Sequence, residues 1–186
     1  MKPETCHYHL GTCREPEWGM SNCFSPHIVY LANSSGPKVG ITRASNIPGR
    51  WIDQGAWQAI KLAKTPNRYI AGLIEVALKE YISDRTQWQR MLKNQLIEGV
   101  SLVNKKNEML KLLPEELRCH ANKNDEITEI IYPVNEYPEK VKSLSFDKLN
   151  EIEGRLWGIK GQYLIFDNGE VLNIRKHNGY EVTLKV

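Results

Sequence analysis

Residue types that can bind a metal ion are concentrated near the start of the chain. Three of the four cysteines and three of the five histidines lie within the first 27 residues. The candidates for the four sulfur and nitrogen ligands of a tetrahedral zinc site are Cys6, Cys13, Cys23 and His27, with His9 as an alternative to His27. Because this segment has few apolar residues with which to build a core, we predict that it binds one structural zinc ion. The alternative interpretation is three buried thiols beside exposed histidines.

The stretch HIVYLANSSGPKVGITR, residues 27–43, can place several chemically useful side chains together. Two apolar runs, Ile28–Ala32 and Lys38–Thr42, flank a Ser-Ser-Gly-Pro turn and predict a hairpin of two strands. Residues two apart on a strand share a face, so the side chains at positions 38, 40 and 42 point together. The hairpin then brings Tyr30 to the face of Gly40, which we expect to form the floor of a groove.

The elements after the hairpin are expected to add side chains to the same groove. Asn46 is predicted to cap a short helix that contains Pro48 in its first turn, and residues 57–63 are predicted to form a third strand. Residues 65–83 then form an amphipathic helix, since their apolar side chains recur with i, i+4 spacing. These apolar positions are Ile70, Ile74, Leu78 and Ile82.

Composition and charge restrict the classes of function. No run of 18 apolar residues is present to span a membrane, and the first residues lack the apolar region of a signal peptide. We therefore expect a cytoplasmic protein. The net charge is only +3, but residues 28–98 contain 10 basic and 5 acidic side chains. This local surplus favours a phosphate-bearing partner, with an ordinary solvated face as the alternative.

The pattern along the chain predicts an α+β fold with four segments. After the Cys/His segment (residues 1–27) comes a core of strands and helices (28–98), then a charged helical connector (99–126), and finally a strand-rich tail (127–186). Two Asn-Gly pairs in the tail, at positions 168–169 and 178–179, each predict a short hairpin. We therefore expect a small C-terminal β unit that packs separately from the core.

The order of elements in the core resembles that of the GIY-YIG nucleases: strand, turn, strand, short helix with Arg50, third strand, and a helix with Glu75. The tripeptide Ile28-Val29-Tyr30 stands at the position of the first family triplet, and Lys38-Val39-Gly40 at that of the second. Over most of its length the chain looks closest to an uncharacterised bacterial family of GIY-YIG-like proteins with a Cys-rich N-terminal segment. The resemblance implies a small antiparallel or mixed sheet flanked by helices.

The resemblance also implies a function, the metal-dependent cleavage of phosphodiester bonds in nucleic acid. Tyr30 would orient or deprotonate the attacking water, Arg50 would bind the scissile phosphate, and Glu75 would hold Mg²⁺ or Mn²⁺. The positions that would contact the substrate are Lys38, Gly40 and Arg43.

The sequence departs from the family pattern at two positions of the triplets. The first triplet begins with Ile28 instead of Gly, and the second begins with Lys38 instead of Tyr. The alternative function is therefore a non-catalytic nucleic-acid-binding module, or a protein adaptor, that retains the fold. In that case Tyr30 is a core residue of its strand, and Glu75 forms an ordinary i, i+4 ion pair with Lys79.

Overall fold

The computed structural model describes residues 2–97 and 99–185. Residues 1, 98 and 186, at which three of the predicted segments begin or end, lie outside the described residues. The fold is α+β, as predicted, with two four-stranded sheets and helices packed against them. The strands are β1 (His27–Asn33), β2 (Pro37–Arg43), β3 (Gln58–Thr65), β4 (Ile127–Glu129), β5 (Lys142–Leu144), β6 (Leu156–Lys160), β7 (Tyr163–Phe166) and β8 (Glu170–Asn173). The helices are α1 (Pro16–Asn22), α2 (Gly49–Asp53), α3 (Arg68–Lys79), α4 (Trp88–Leu92), α5 (Leu102–Leu112) and α6 (Glu115–Arg118).

The first sheet is antiparallel and has the strand order β2-β1-β3-β4. The predicted hairpin is confirmed, and its register places Tyr30 opposite Gly40. In the turn, the backbone N–H of Gly36 donates a hydrogen bond of 3.1 Å to the Asn33 side chain. Strand β4 pairs with β3, Ile127 lying opposite Ile60. The start of the predicted C-terminal segment therefore belongs to the first sheet.

Helices cover both faces of the first sheet, so β1 is buried along its whole length. The predicted amphipathic helix is confirmed as α3, whose first turn is capped by a 3.0 Å hydrogen bond from the Ile70 N–H to the Asn67 side chain. The core between the sheet and α3 contains Val29, Leu31, Val39, Ile60, Leu62, Ala71, Ile74 and Leu78. A smaller core lies on the opposite face, towards α2, and contains Ile28, Tyr30, Ala32, Trp51, Ala56 and Ala59.

The short helix α2 forms as predicted, but the predicted cap is wrong, and Pro48 precedes the first turn instead of lying in it. Asn46 ends a 3₁₀ turn, Ala44–Asn46, and makes no capping hydrogen bond to α2. The helix begins only at Gly49, directly after Pro48. The Asn46 side chain is therefore too far back along the chain to reach the N–H groups of the first turn.

The second sheet has the strand order β5-β8-β7-β6, with β5 parallel to β8 and the other pairs antiparallel. The first Asn-Gly pair joins β7 to β8, which confirms that hairpin. The second predicted hairpin is wrong, because Ile174–His177 form a 3₁₀ turn. Its first turn is capped by Asn173, whose side chain accepts a 3.2 Å hydrogen bond from the Lys176 N–H. No strand follows within the described residues up to 185.

The second sheet packs directly against the region of α2, not separately from the core as predicted. The Tyr132 hydroxyl donates to the carbonyl oxygens of Ile52 and Ala56, at 3.1 and 2.9 Å. Gly161, in the β6–β7 turn, has φ +61°, and a Cβ at this position would lie 3.0 Å from the Asp53 carbonyl oxygen. The second sheet, together with Tyr132 in the segment between β4 and β5, thus holds the C-terminal end of α2. None of the helices within residues 2–97 and 99–185 is long and apolar enough to cross a bilayer.

Candidate functional site

Tyr30 and Gly40 form the centre of the predicted site. Tyr30 is fully buried, and its hydroxyl donates a 3.1 Å hydrogen bond to Gln54 Oε1. A Cβ at position 40 would lie 2.7 Å from the Tyr30 hydroxyl oxygen, which is closer than real Cβ contacts allow. Gly40 therefore makes room for the Tyr30 ring, and the predicted open floor of a groove is filled by that ring.

Arg50 of α2 lies beside the Tyr30 hydroxyl. Burial raises the pKa of Tyr30, and the Arg50 guanidinium, by its charge and by a hydrogen bond, opposes part of that rise. The ring of Trp51, the next residue on α2, meets the Tyr30 ring edge-on at 6.0 Å between centroids. Because the net pKa shift is upward, Tyr30 stays protonated at neutral pH and acts as a hydrogen-bond donor.

Lys38 is a buried lysine on β2, two residues from Gly40. Its Nζ donates a 2.6 Å hydrogen bond to Thr86 Oγ1. Burial lowers the pKa of Lys38 to about 8; the Arg50 charge adds to this effect and the Asp84 carboxylate opposes it. Lys38 therefore lies within the electrostatic influence of the same guanidinium as Tyr30.

Glu75, on α3, affects the site through its charge. Its mostly buried carboxylate is 3.6 Å from Lys79 Nζ, so the i, i+4 ion pair is present. Burial raises the pKa of Glu75, and Lys79 opposes the rise. The Glu75 charge also raises the pKa of Tyr30, although less than burial does. The structure thus brings Tyr30, Gly40 and Arg50 together and places Glu75 within electrostatic range of them.

A cavity of about 230 Å³ lies next to Arg50, and we call it the arginine pocket. The side chains that line it carry three guanidinium groups and an imidazole, and no carboxylate occurs among the described lining residues. The ionisable residues of its wall are His27, Arg43, Arg50 and Arg68. Arg43 and Arg50 were predicted to contact substrate, whereas Arg68 was not singled out and His27 was considered only as a zinc ligand.

Residues of the Cys/His segment and its junction with β1 hold the wall of the arginine pocket. Arg43 donates from Nη1 to the Asn22 side chain, and His27 donates from Nδ1 to the Ser25 carbonyl oxygen at 2.7 Å. Burial, and then the charges of Arg68 and Arg43, lower the pKa of His27. Both guanidinium groups are therefore close to the His27 ring.

Two further contacts join the Cys/His segment to α3. The backbone N–H of Arg68 donates to the Cys23 carbonyl oxygen at 2.8 Å, and its Nη1 is 3.9 Å from Cys23 Sγ. Pro3 also lines the pocket, and it packs so closely on Gly72 that a Cβ at position 72 would collide with it. The pocket is thus formed by α2, α3, β1, β2 and the N-terminal segment.

The predicted zinc ligands are only partly assembled. Cys6 and Cys23 are both buried; burial raises the pKa of Cys23, Arg68 opposes the rise, and the neighbouring Cys6 thiol adds to it. His9 instead stacks on Tyr69, at 4.6 Å between ring centroids. Among residues 2–97 and 99–185, no group of three or more Cys, His, Asp or Glu side chains is arranged to hold a metal ion. The zinc site and the magnesium site stay predictions.

The fold and this site define an α+β protein with a buried tyrosine–arginine centre beside a cationic pocket. The chain belongs to the family described as protein of unknown function (DUF2797), whose model matches residues 1–182. No curated protein and no solved structure matches the chain.

Proposed function

We propose that this protein acts on nucleic acid and binds a backbone phosphate at the centre formed by Tyr30, Gly40 and Arg50. The observation that supports this most directly is the position of Arg50, which interacts with the Tyr30 hydroxyl and also lines the arginine pocket. A guanidinium group presents N–H donors in a planar fork that matches phosphate oxygens. The positive surplus of residues 28–98 would draw the same partner to this face.

Phosphodiester cleavage is the activity that the resemblance to GIY-YIG nucleases favours for this centre. Glu75 is the residue that would hold Mg²⁺ or Mn²⁺, and such an ion, when bound, stabilises charge on the leaving oxygen. The Glu75 carboxylate would then break its ion pair with Lys79 and bind the metal ion instead. Tyr30, which stays protonated, would release its hydrogen bond to Gln54 and donate to a water molecule instead, which would orient that water.

Binding without cleavage is the second candidate function, and two observations favour it. Tyr30 is fully buried, with its hydroxyl bonded to Gln54, and Glu75 is paired with Lys79. Both arrangements suit a protein that has kept the fold and the phosphate contacts and has lost the chemistry. A role as a protein adaptor would leave the positive surplus without a function.

Binding is tested by fluorescence anisotropy with labelled single- and double-stranded DNA and RNA over a range of salt concentrations. We expect affinity to fall as salt rises, since each phosphate contact releases counterions. Arg50→Gln should weaken binding. It should also reduce the slope of log affinity against log salt concentration by about one, since one phosphate contact is lost. The matched control is Arg85→Gln, an exposed arginine outside the pocket. Equal affinity of the wild type and both variants would refute the proposed centre.

Cleavage is tested on the same nucleic acids with Mg²⁺ or Mn²⁺ added. Glu75→Ala should abolish cleavage and leave binding almost unchanged, whereas the exposed neighbour Glu80→Ala should change neither. Removing one charge-stabilising group from such a centre typically lowers the rate about 10²–10³-fold. Salt-dependent binding by the wild type with no cleavage of any substrate would select the non-catalytic function.

A structural zinc ion in the Cys/His segment remains part of this proposal. The neighbouring thiols of Cys6 and Cys23 would be two of the four ligands, and Cys13 with His27 or His9 would be the others. Elemental analysis of the purified protein should give one zinc per chain. A value near zero, with no loss of thermal stability on chelation, would exclude it.

A further inference from the structure

A second cavity, of about 180 Å³, lies beside α2 and over two strands of the first sheet, and we call it the β3–β4 pocket. Strands β3 and β4 contribute Lys61 and Thr128 to its lining. Its apolar lining comes from the start of α2 and the residues just before it: Ile47, Pro48 and Trp51. The pocket therefore shares a helix with the proposed phosphate-binding centre.

The rest of the polar lining comes from the segment between α6 and β4, through Asn122, Asn124 and Glu126. A buried lysine of α5 holds this segment: Lys106 Nζ donates to the Asn124 carbonyl oxygen at 2.8 Å and to Asp125 Oδ1 at 2.7 Å. The Asn124 side chain donates in turn to Glu126 Oε2 at 3.2 Å and accepts from the Glu126 N–H at 2.8 Å. Because these groups are held in place, they lose little conformational entropy when they bind a ligand.

Several polar atoms of the lining are left with unused hydrogen-bonding capacity. Within residues 2–97 and 99–185, the Asn122 side-chain oxygen and Glu126 Oε1 accept no hydrogen bond, and the Lys61 ammonium has no partner. The buried Trp51 Nε1 likewise has no partner among these residues. The pocket thus offers both acceptors and donors, and the charges of Lys61 and Glu126 balance each other.

This lining suits an uncharged ligand that has an apolar body and a polar edge with both donors and acceptors. A nucleobase has these properties, whereas a phosphate group has neither the apolar body nor the neutrality. The cavity is smaller than the roughly 300–1,000 Å³ typical of pockets for drug-sized ligands, so it suits one base and not a larger group.

The free acceptors indicate which edge of a base the pocket recognises. Carboxylate oxygens accept hydrogen bonds from the amino group of cytosine, and asparagine pairs with the amino group of adenine. Uracil and thymine have a carbonyl oxygen in place of that amino group. We propose that the β3–β4 pocket binds a single unpaired nucleobase that carries an exocyclic amino group, with Glu126 and Asn122 as acceptors and Lys61 as a donor.

The proposal rests on the proposed function for the strand to which the base belongs, but not for the base itself. Arg50 and Trp51 are successive residues of α2, and successive helical residues project about 100° apart. Arg50 accordingly lines the arginine pocket and Trp51 lines the β3–β4 pocket. A strand with a phosphate at Arg50 would turn a neighbouring base towards Trp51. Since pairing hides the edge that the pocket reads, the substrate would be single-stranded or contain an unpaired base.

The test uses the full chain and two matched pairs of probes: cytidine with uridine, and oligocytidylate with oligouridylate of equal length. Calorimetry measures the affinities, and ¹⁵N spectra of the Trp51 indole N–H and the Asn122 backbone N–H report where the nucleosides bind. The cytosine-containing probe of each pair should bind about tenfold more tightly than its uracil counterpart. Cytidine should shift both resonances.

Glu126→Gln should abolish this preference without disturbing the segment. The amide oxygen can still accept from Asn124, and its NH₂ group then presents a donor where the carboxylate presented an acceptor. Glu129→Gln is the matched control, since Glu129 is exposed and lies outside the pocket, and it should keep the preference. Lys61→Gln, a second variant at an exposed side chain, should weaken binding of the cytosine probes. Unchanged melting temperatures confirm that the variants fold.

Two results separate this proposal from the proposed function. Equal affinities within each pair of probes, or cytidine binding that shifts neither resonance, would overturn the base pocket and leave the proposed function standing. A preference for cytidine that depends on Glu126, with no binding of any oligonucleotide, would support the base pocket and refute the proposed function.

Discussion

The two faces of the first sheet differ in what they bury. The face towards α3 is covered mainly by aliphatic side chains, among them Leu31, Leu62 and Ile74; the buried carboxylate on α3, that of Glu75, is paired with Lys79. The face towards α2 has a smaller apolar core and also contains buried polar groups, among them Tyr30 and Lys38. Both have hydrogen-bond partners, Gln54 and Thr86, but burial still disfavours the charged form of Lys38, whose pKa is lowered to about 8. The comparison indicates that the α3 face stabilises the fold, whereas the α2 face tolerates an energetic cost in order to hold the candidate site.

The largest expected effect tests the stabilising role of the α3 face. Ile74→Ala removes buried methyl groups that contact the sheet and should lower the free energy of unfolding by about 2–5 kcal/mol. Val76 lies two residues away on α3 with 42% of its surface exposed, so Val76→Ala should cost less than about 0.5 kcal/mol. Urea denaturation followed by circular dichroism measures both. Similar losses for the two variants would contradict the assignment of the main core to this face.

A smaller effect tests how tightly the α2 face is packed around Tyr30. Gly40→Ala forces a Cβ against the Tyr30 hydroxyl and should cost about 1–3 kcal/mol in denaturation experiments. Gly49→Ala is the control, since a Cβ there meets nothing within 4 Å. Combining Gly40→Ala with Tyr30→Phe should recover part of the loss, because the closest colliding atom is gone. A Gly40→Ala variant as stable as the wild type would mean that the Tyr30 ring is free to move.

The smallest effect tests the cost of a buried charge on the α2 face. Lys38 in the folded protein loses its proton near pH 8, whereas its ordinary pKa is 10.5. Between these values the unfolded state binds more protons, so stability rises with pH. From pH 8 to 9.5 we expect wild-type stability to rise by roughly 1–2 kcal/mol more than that of Lys38→Met. The buried Lys160, whose pKa is also lowered to about 8, contributes equally to both proteins. Parallel pH profiles would show that Lys38 is not desolvated.

The hairpin and α3 were predictable because their signals are local. The alternation of apolar residues around the Ser-Ser-Gly-Pro turn defines β1 and β2, and the i, i+4 stripe with Asn67 before it defines α3. The second tail hairpin failed for an equally local reason. Asn173 caps a 3₁₀ turn there, so the chain bends before it reaches the Asn178-Gly179 pair. An Asn-Gly pair alone does not distinguish these outcomes.

The composition of the candidate site was only partly predictable because its parts are distant in sequence. Tyr30, Gly40 and Arg50 were found from the order of strands and helices. Arg68 was not, since in the sequence it is simply the first residue of a helix. The register of the first sheet makes it a neighbour of Arg43, since His27 lies opposite both Arg43 and Thr65 and α3 begins just after Thr65; no periodic pattern in the sequence records such a contact. The GIY-YIG resemblance and both metal sites stay predictions.

The contacts that hold α2 determine which fragment of the chain can retain the candidate site. Helix α2, which carries Arg50, contains five residues, far fewer than a helix needs to persist on its own. Its backbone is held by the two hydrogen bonds from Tyr132 and by the β6–β7 turn at Gly161. A truncated chain that ends before β5 would keep Tyr132 and every strand of the first sheet, yet it would lose the β6–β7 turn that packs against the end of α2. We therefore expect the smallest fragment that retains the site to include the second sheet, although no described residue of that sheet lines the arginine pocket.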